Sequence, residues 1–331
     1  MIVVRTPFRL PLGGGGTDLP SYYKKYEGFL VTAAVNKYMY INLNVPALVD
    51  KIKIAYNKTE IVGLQEIGKI EHEIVREALI YLKICQPLEI HSMADLSAGT
   101  GMGSSSSYTV GLLRALNAMQ RRHISVQELA EEACRIEIDL VGKPIGKQDQ
   151  YAAAYGGIIA LQIDKLGNVK VTRPRIDHET IYELENRLMM FYTSIQRDAN
   201  EILGEQSLKA KVGEEVVTKA MHRIKEIGKE VKLALENDDV SGFGRLMNDH
   251  WLEKKKISDK MSTGEIDKWY AKALGNGAIG GKLMGAGGGG FLLLCADHGK
   301  RKELRNAMEA EGLRYMDFKF DWEGSKELVN I

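Results

Sequence analysis

Gly99, Gly101 and Gly103 alternate with Thr100 and Met102 and run directly into Ser104-Ser105-Ser106-Ser107. Glycines spaced this way let backbone N–H groups come close to a ligand. The serines then open an apolar helix through Val110, Leu113 and Leu116. A helix N-terminus offers free N–H groups and a positive dipole end, which favour a phosphate. A serine hydroxyl at the same place can reach a metal ion. One serine would satisfy a helix cap, and four behind three glycines exceed that need. The run is not a Walker A loop. GxxxxGK[ST] fails at Lys282, where Asn276 and Leu283 stand, and at Lys147, where Val141 stands. A GxGxxG string occurs at Gly285, Gly287 and Gly290, but it precedes the strand Phe291 to Cys295 instead of following a strand and opening a helix. That reversed context excludes a dinucleotide fingerprint.

Two other glycine clusters flank this one. Thr6-Pro-Phe-Arg9-Leu-Pro-Leu-Gly13-Gly14-Gly15-Gly16-Thr17-Asp18 puts a cation, four glycines and a carboxylate in one run. Lys282-Leu-Met-Gly285-Ala-Gly287-Gly288-Gly289-Gly290 is the third. Alone, Asp18 reads as a turn or cap residue, and the third run as a backbone crossing. Two more carboxylates stand out. Glu137 lies between Ile136 and Ile138 on a helix, where a carboxylate needs a partner or an ion. Asp149 lies in Gly146-Lys147-Gln148-Asp149-Gln150, ahead of a small-residue stretch. Either could also be a surface charge.

Composition limits what these groups can serve. The chain has 331 residues, enough for two domains, and fifteen of its 34 glycines sit in three places, 13–16, 99–103 and 277–290. Forty-five basic and 44 acidic side chains leave a net charge of +1, so no broad field attracts nucleic acid or a membrane surface. Any anion must be held by a local site. Cys85, Cys134 and Cys295 are too few and too scattered for a disulfide framework or a zinc knuckle. No apolar run approaches the ~18 residues of a membrane span. Arg5 and Pro7 follow Ile2, Val3 and Val4 too early for a signal peptide, so a cytoplasmic protein is expected.

The elements that would position these residues are legible in outline. Strands are expected at 2–12, 29–45, 52–56 and 88–91. A helix is expected at 68–82, another from Ser104, and a third from Ser125 to Gly142, opened by a Ser125/Glu128 capping box. A hairpin is expected at 158–163 and 169–172. Beyond residue 180 come a strand at 188–193, helices at 198–209, 212–236, 240–256 and 263–274, a strand at 291–295, a helix at 300–311 and a strand at 315–320. The division is residues 1–178 and 179–331.

The three glycine clusters, in this order and with these companions, resemble the GHMP kinase family of small-molecule kinases. The resemblance spans the chain, at 6–19, 97–107 and 282–290. It implies an α+β fold in two domains: an N-terminal domain like ribosomal protein S5 domain 2 and a ferredoxin-like C-terminal domain with added helices. Galactokinases carry Glu-His where Gly15-Gly16 stand in this chain. Pro7-Phe-Arg9 with Thr17-Asp18, and Gly146-Lys-Gln-Asp-Gln-Tyr151, look like the D-glycero-D-manno-heptose 7-phosphate kinases. Thr193-Ser-Ile-Gln-Arg197-Asp-Ala199 is similar to a segment of that subgroup. The activity implied is ATP-dependent phosphorylation of the anomeric hydroxyl of a sugar phosphate. The alternatives are a galactose- or fucose-like sugar, mevalonate, or a non-catalytic sugar sensor.

The resemblance also implies roles. ATP would lie on Gly99, Gly101, Met102, Gly103, Ser104, Ser105 and Ser106, and Mg²⁺ on Ser105 and Glu137. Asp149 would orient or deprotonate the acceptor hydroxyl, with Arg9 beside it stabilising the transferred charge. Gly15, Gly16, Thr17, Asp18, Gly287 and Gly288 would hold the sugar. Lys147 and Arg197 would hold its existing phosphate. No nucleic-acid or membrane partner is expected, and a homodimer stays open.

Overall fold

The computed structural model describes residues 1–195, 214–285 and 287–331. Strand β1 (Ile2–Gly13) leads through helix α1 (Pro20–Tyr26) to strand β2 (Gly28–Asn44), its antiparallel partner. β1 alternates buried and half-buried residues up to Arg5 and is buried from Thr6 to Gly13, where helices cover it. Pro7 and Pro11 have no N–H to donate, and the register slips beside each of them. Arg9 sits between these two irregularities.

The chain continues through β3 (Lys51–Ala55), β4 (Thr59–Gly63), a 3₁₀ turn (Leu64–Lys69), helix α2 (Glu73–Tyr81) and β5 (Leu88–Ala94). Next come α3 (Ser104–Met119), α4 (Val126–Cys134), α5 (Gln148–Tyr155) and the hairpin β6 (Ile158–Ile163) with β7 (Val169–Thr172). β2 is long enough for two partners on one edge. Gly28–Ala33 pairs with β6, and Met39–Asn44 with β5. α3 lies across β1 and β2 and brings its N-terminus to the middle of the sheet. α4 opens with the expected capping box, Ser125 accepting from Glu128 N and Glu128 accepting from Ser125 N. It then passes into a π-helical turn at Arg135–Leu140. Such turns redirect side chains and often mark functional positions, and this one carries Glu137.

The second part comprises α6 (His178–Arg187), β8 (Leu188–Tyr192), α7 (Glu215–Glu236), α8 (Val240–Lys255), a 3₁₀ turn (Asp259–Met261) and α9 (Gly264–Leu274). β9 (Ala278–Leu283), β10 (Phe291–Ala296), α10 (Arg301–Ala310), β11 (Arg314–Met316) and β12 (Lys326–Asn330) follow. Four strands form an antiparallel sheet in the order β11-β8-β10-β9. α8 lies against β9, and α7 packs on both α8 and the β1–β2 pair, so it ties the two parts together. Among the described residues no helix is long and apolar enough to cross a membrane. All three cysteines are free.

Several expectations need correcting. The last strand was expected at 315–320. The strand ends at Met316, Phe320 bridges to Val35, and β12 pairs with β1. The C-terminus therefore completes the first sheet. α5 was not expected, because Gln-Asp-Gln-Tyr-Ala-Ala-Ala-Tyr has no polar face. Gln150 to Ala154 are all buried, as befits a helix with no exposed side. β9 was hidden among glycines, and β4, α6 and β12 were also missed. The helix expected at 198–209 lies outside the described residues.

Candidate active site

α5 and the loop into α3 converge on Arg9. Arg9 Nε donates to Asp149 Oδ1 at 2.6 Å and its Nη2 to Oδ2 at 3.0 Å. This is the bidentate fork geometry that fixes orientation as well as charge. Nη1 donates to the carbonyl of Gly101, and Arg9 N donates to the carbonyl of Met102 at 3.1 Å. One arginine thus joins the glycine-serine loop to the carboxylate of α5. Arg9 is only 5% exposed.

The glycine loops are pressed together. Gly101 has φ +77°, and a Cβ there would lie 2.8 Å from the Met284 carbonyl. Gly285 in turn packs on the Gly101 backbone. The second and third clusters therefore form one double wall, which only residues without a Cβ permit.

On the far side of this wall, Ser105 Oγ donates to Glu137 Oε1 at 2.6 Å. Gln150 Nε2 donates to Glu137 Oε2 at 2.7 Å. Lys143 Nζ lies 2.6 Å from Ser105 Oγ and 3.3 Å from Glu137 Oε1. Glu137 is fully buried and satisfied by these three groups. A cation already lies beside both the hydroxyl and the carboxylate, so this pair of hard oxygens suits a positive charge. Lys143 and Gln150 were not foreseen as parts of the site. Lys143 could have been found as the next cation after a carboxylate with apolar neighbours.

Beside Ser104 and Ser105 opens a cavity lined by Met39, Tyr56, His72, Met93, Leu96 and Tyr108, among others. His72 and Tyr108 stack with ring centroids 4.8 Å apart. Tyr56 meets His72 edge-on at 4.8 Å. Burial holds the His72 imidazole below its ordinary pKa, towards the neutral form. Tyr56 follows β3, His72 precedes α2 and Tyr108 lies in α3, and no local pattern announced them.

On the other side of the Arg9–Asp149 pair lies a second cavity. Gly15, Gly16, Asp18, Gln148, Asp149 and Gly285 line it, with His250, Lys254 and Lys282 opposite. Asp18 is 1% exposed and accepts from Gly16 N at 2.9 Å and Gln148 N at 3.0 Å. Burial raises its pKa, the Gln148 N–H opposes that shift, and nearby Asp149 adds to it. Burial pushes the ammonium of Lys254 down to about 8, with Arg9 adding to the shift.

Some expected residues are placed otherwise. The Thr17 hydroxyl is buried and spent on the carbonyls of Gly14 and Phe29, at 2.8 and 2.9 Å. It holds the loop's shape and does not line the cavity. Lys147 turns away, donating to the carbonyl of Gly167 and lying 5.6 Å over the Tyr23 ring. Gly287 packs on Met261, and Gly288 N donates to the Met261 carbonyl at 3.0 Å. Met102 and Ser106 are buried in the fold, whereas Ser104 and Ser105 reach the aromatic cavity. Gly99 takes a left-handed φ of +79° in the loop itself. Arg197 lies outside the described residues.

Comparison with known proteins places this architecture. The GHMP kinase N-terminal domain model matches residues 70–157, and the GHMP kinase C-terminal model matches residues 231–313. D-glycero-alpha-D-manno-heptose 7-phosphate kinase of Campylobacter jejuni is 33% identical over 98% of this chain and 98% of its own. The chain belongs to the GHMP kinase family. A solved structure of D-glycero-D-manno-heptose 1-phosphate kinase from Bacteroides thetaiotaomicron superposes with a TM-score of 0.82 at 26% identity, covering both chains fully. Galactokinase of Pyrococcus furiosus is 27% identical over 99% of this chain and 97% of its own. The two-domain α+β fold expected from the sequence is the fold these GHMP kinases share.

Proposed function

We propose that this GHMP kinase transfers the γ-phosphoryl group of ATP to the anomeric hydroxyl of a sugar phosphate, D-glycero-D-manno-heptose 7-phosphate. The observation that carries the proposal is the Arg9–Asp149 fork, set between a phosphate-type glycine loop and a cavity that Asp18, Lys254 and Lys282 also line. Phosphoryl transfer needs little covalent help from a protein. It needs an aligned hydroxyl, a held polyphosphate and neutralised charge. The full-length likeness to a heptose 7-phosphate kinase supports the choice of substrate.

The nucleotide's base and ribose lie in the aromatic cavity of Tyr56, His72 and Tyr108, and its phosphates on the N–H groups of Gly101, Gly103 and Ser104. Ser105 and Glu137 would hold Mg²⁺ at the position where the Lys143 ammonium now lies beside both oxygens. Among the described residues no cluster of three or more His, Cys, Asp or Glu forms a metal cage. Two protein oxygens suit Mg²⁺, which keeps waters and takes its remaining ligands from phosphates. When bound, the ion neutralises charge on the phosphates. The sugar lies against Gly15, Gly16 and Asp18. Asp149 accepts the hydroxyl proton as the new O–P bond forms and the bond from the γ-phosphorus to the β–γ bridging oxygen breaks, releasing ADP. Arg9 keeps Asp149 aimed through its two-pronged contact. Residues 1–178 supply the nucleotide side and 179–331 the opposing wall, with β12 returned to the first sheet. The free thiols suit a cytoplasmic setting.

ADP release measured with heptose 7-phosphate, galactose, fucose and mevalonate tests this reading. Turnover on heptose 7-phosphate well above the others is expected. Turnover on mevalonate alone, or on a bare hexose alone, overturns it. Glu137→Gln is expected to raise the KM for Mg·ATP about tenfold or more, since a charge-assisted contact contributes about 1.5–3 kcal/mol. Raising Mg²⁺ should recover part of the loss. A silent Glu137→Gln removes Glu137 from the metal role.

A further inference from the structure

The cavity on the sugar side carries more positive charge than the Arg9–Asp149 pair can use. Arg9, Lys254 and Lys282 line it together with two carboxylates, Asp18 and Asp149. Arg9 is matched by Asp149. Asp18 is committed to the N–H groups of Gly16 and Gln148. Among the described residues neither Lys254 nor Lys282 has a carboxylate within ion-pair distance. Each spends one hydrogen bond on a backbone carbonyl. Lys254 Nζ donates to Gly285 O, and Lys282 Nζ donates to Leu12 O at 2.8 Å. Lys282 is 1% exposed and Lys254 half-buried. An ammonium carries three donors, so both keep donors unspent beside the cavity.

His250 lies one helical turn before Lys254 on α8, so both side chains share a face. It is 2% exposed, and among the described residues neither ring nitrogen has a hydrogen-bond partner. Buried polar groups normally find partners. Two lysines and an imidazole with unspent donors stand on one wall, supplied by α8 and β9, and form a cradle suited to an anion.

We infer that Lys254, Lys282 and His250 form the subsite for the phosphate that the sugar substrate already carries. This rests on the sugar-phosphate reading above and gives that phosphate a definite place. Lys147 points away from the cavity and does not supply it. The placement separates two jobs. The phosphates of the nucleotide lie towards Ser104 and Ser105, whereas the cradle stands across Arg9 and Asp149 on the side of Asp18. A phosphate held there fixes the far end of the substrate and so directs its reacting hydroxyl towards Asp149. Burial lowers the pKa of both lysines, Arg9 adds to the shift of each and Lys254 to that of Lys282, and a bound dianion would relieve that cost.

The test compares kcat/KM for heptose 7-phosphate with that for unphosphorylated heptose. Wild-type enzyme should prefer the phosphorylated sugar by ~10²–10⁴, the worth of two charge-assisted bonds. Lys254→Gln keeps a donor for the Gly285 carbonyl but loses the charge, and should shrink that preference about tenfold or more. His250→Asn should shrink it by a smaller factor. Binding of heptose 7-phosphate without nucleotide, measured by calorimetry, should weaken in parallel. If wild-type enzyme shows no preference, the sugar-phosphate reading fails. If wild-type enzyme prefers the phosphorylated sugar and both variants keep that preference while losing activity on the two sugars alike, the cradle assignment fails and that reading stands. Should Lys254→Gln not fold, His250→Asn decides by the same ratio.

Discussion

Asp149→Asn is expected to lower kcat by about 10²–10⁴ while leaving ATP affinity nearly unchanged, because a positioned base contributes about that much. Both carboxylate oxygens already accept from Arg9, at 2.6 and 3.0 Å. Each keeps a second lone pair, so the acceptor hydroxyl can still donate to Asp149. Asparagine loses the charge and one acceptor, and its amide N–H groups meet the guanidinium donors. The nucleotide side should feel little of this, since Ser105, Glu137 and Lys143 form a separate network. Removing one member of a buried ion pair costs stability, about 3–5 kcal/mol where the pair is fully enclosed. Asp149 retains 21% of its side-chain exposure, so a smaller loss is expected. A melting curve beside the rate measurement separates the two effects. A folded Asp149→Asn with kcat within about threefold of wild type removes Asp149 from the role of base.

Residues close in sequence were legible. The Gly99–Ser107 loop revealed itself because glycine, hydroxyl and helix onset coincide in a few positions. The Ser125/Glu128 capping box and the β6–β7 hairpin did so for the same reason. The Arg9–Asp149 pair was reached through family resemblance, and the structure supplies its geometry: a strand slipped at two prolines and a helix with no polar face. Lys254, Lys282 and His250 were not legible as a group. On the sequence Lys254 is one of three consecutive lysines, and Lys282 opens a glycine run. Only the packing of α8 on β9 makes them neighbours. The same holds for Tyr56, His72 and Tyr108, which come from three separate stretches of the chain. β12 was missed because Lys-Glu-Leu-Val-Asn lies at an exposed edge, where no buried face imposes alternation.

Gly103→Ala is expected to lower kcat about 10²-fold, the cost of misplacing reacting groups by roughly 1 Å. Gly299→Ala should leave the rate alone. Both glycines have φ +74°, in the left-handed region, so both substitutions carry the same backbone strain of about 1–2 kcal/mol. Their surroundings differ. A Cβ on Gly299 meets nothing within 4 Å, whereas a Cβ on Gly103 would lie 2.9 Å from Asp149 Oδ2 and 3.2 Å from Arg9 Cγ. The added methyl must push either the carboxylate and its arginine or the N-terminus of α3. In the first case kcat falls with ATP affinity kept; in the second both suffer, because the N–H groups of the loop turn with the helix. Thermal melts should show the shared strain in both variants, with Gly103→Ala melting lower because of its close contacts, and only Gly103→Ala should lose rate. If Gly103→Ala keeps wild-type kcat and ATP affinity while melting as low as Gly299→Ala, the close approach of loop and carboxylate is a packing feature with no part in transfer.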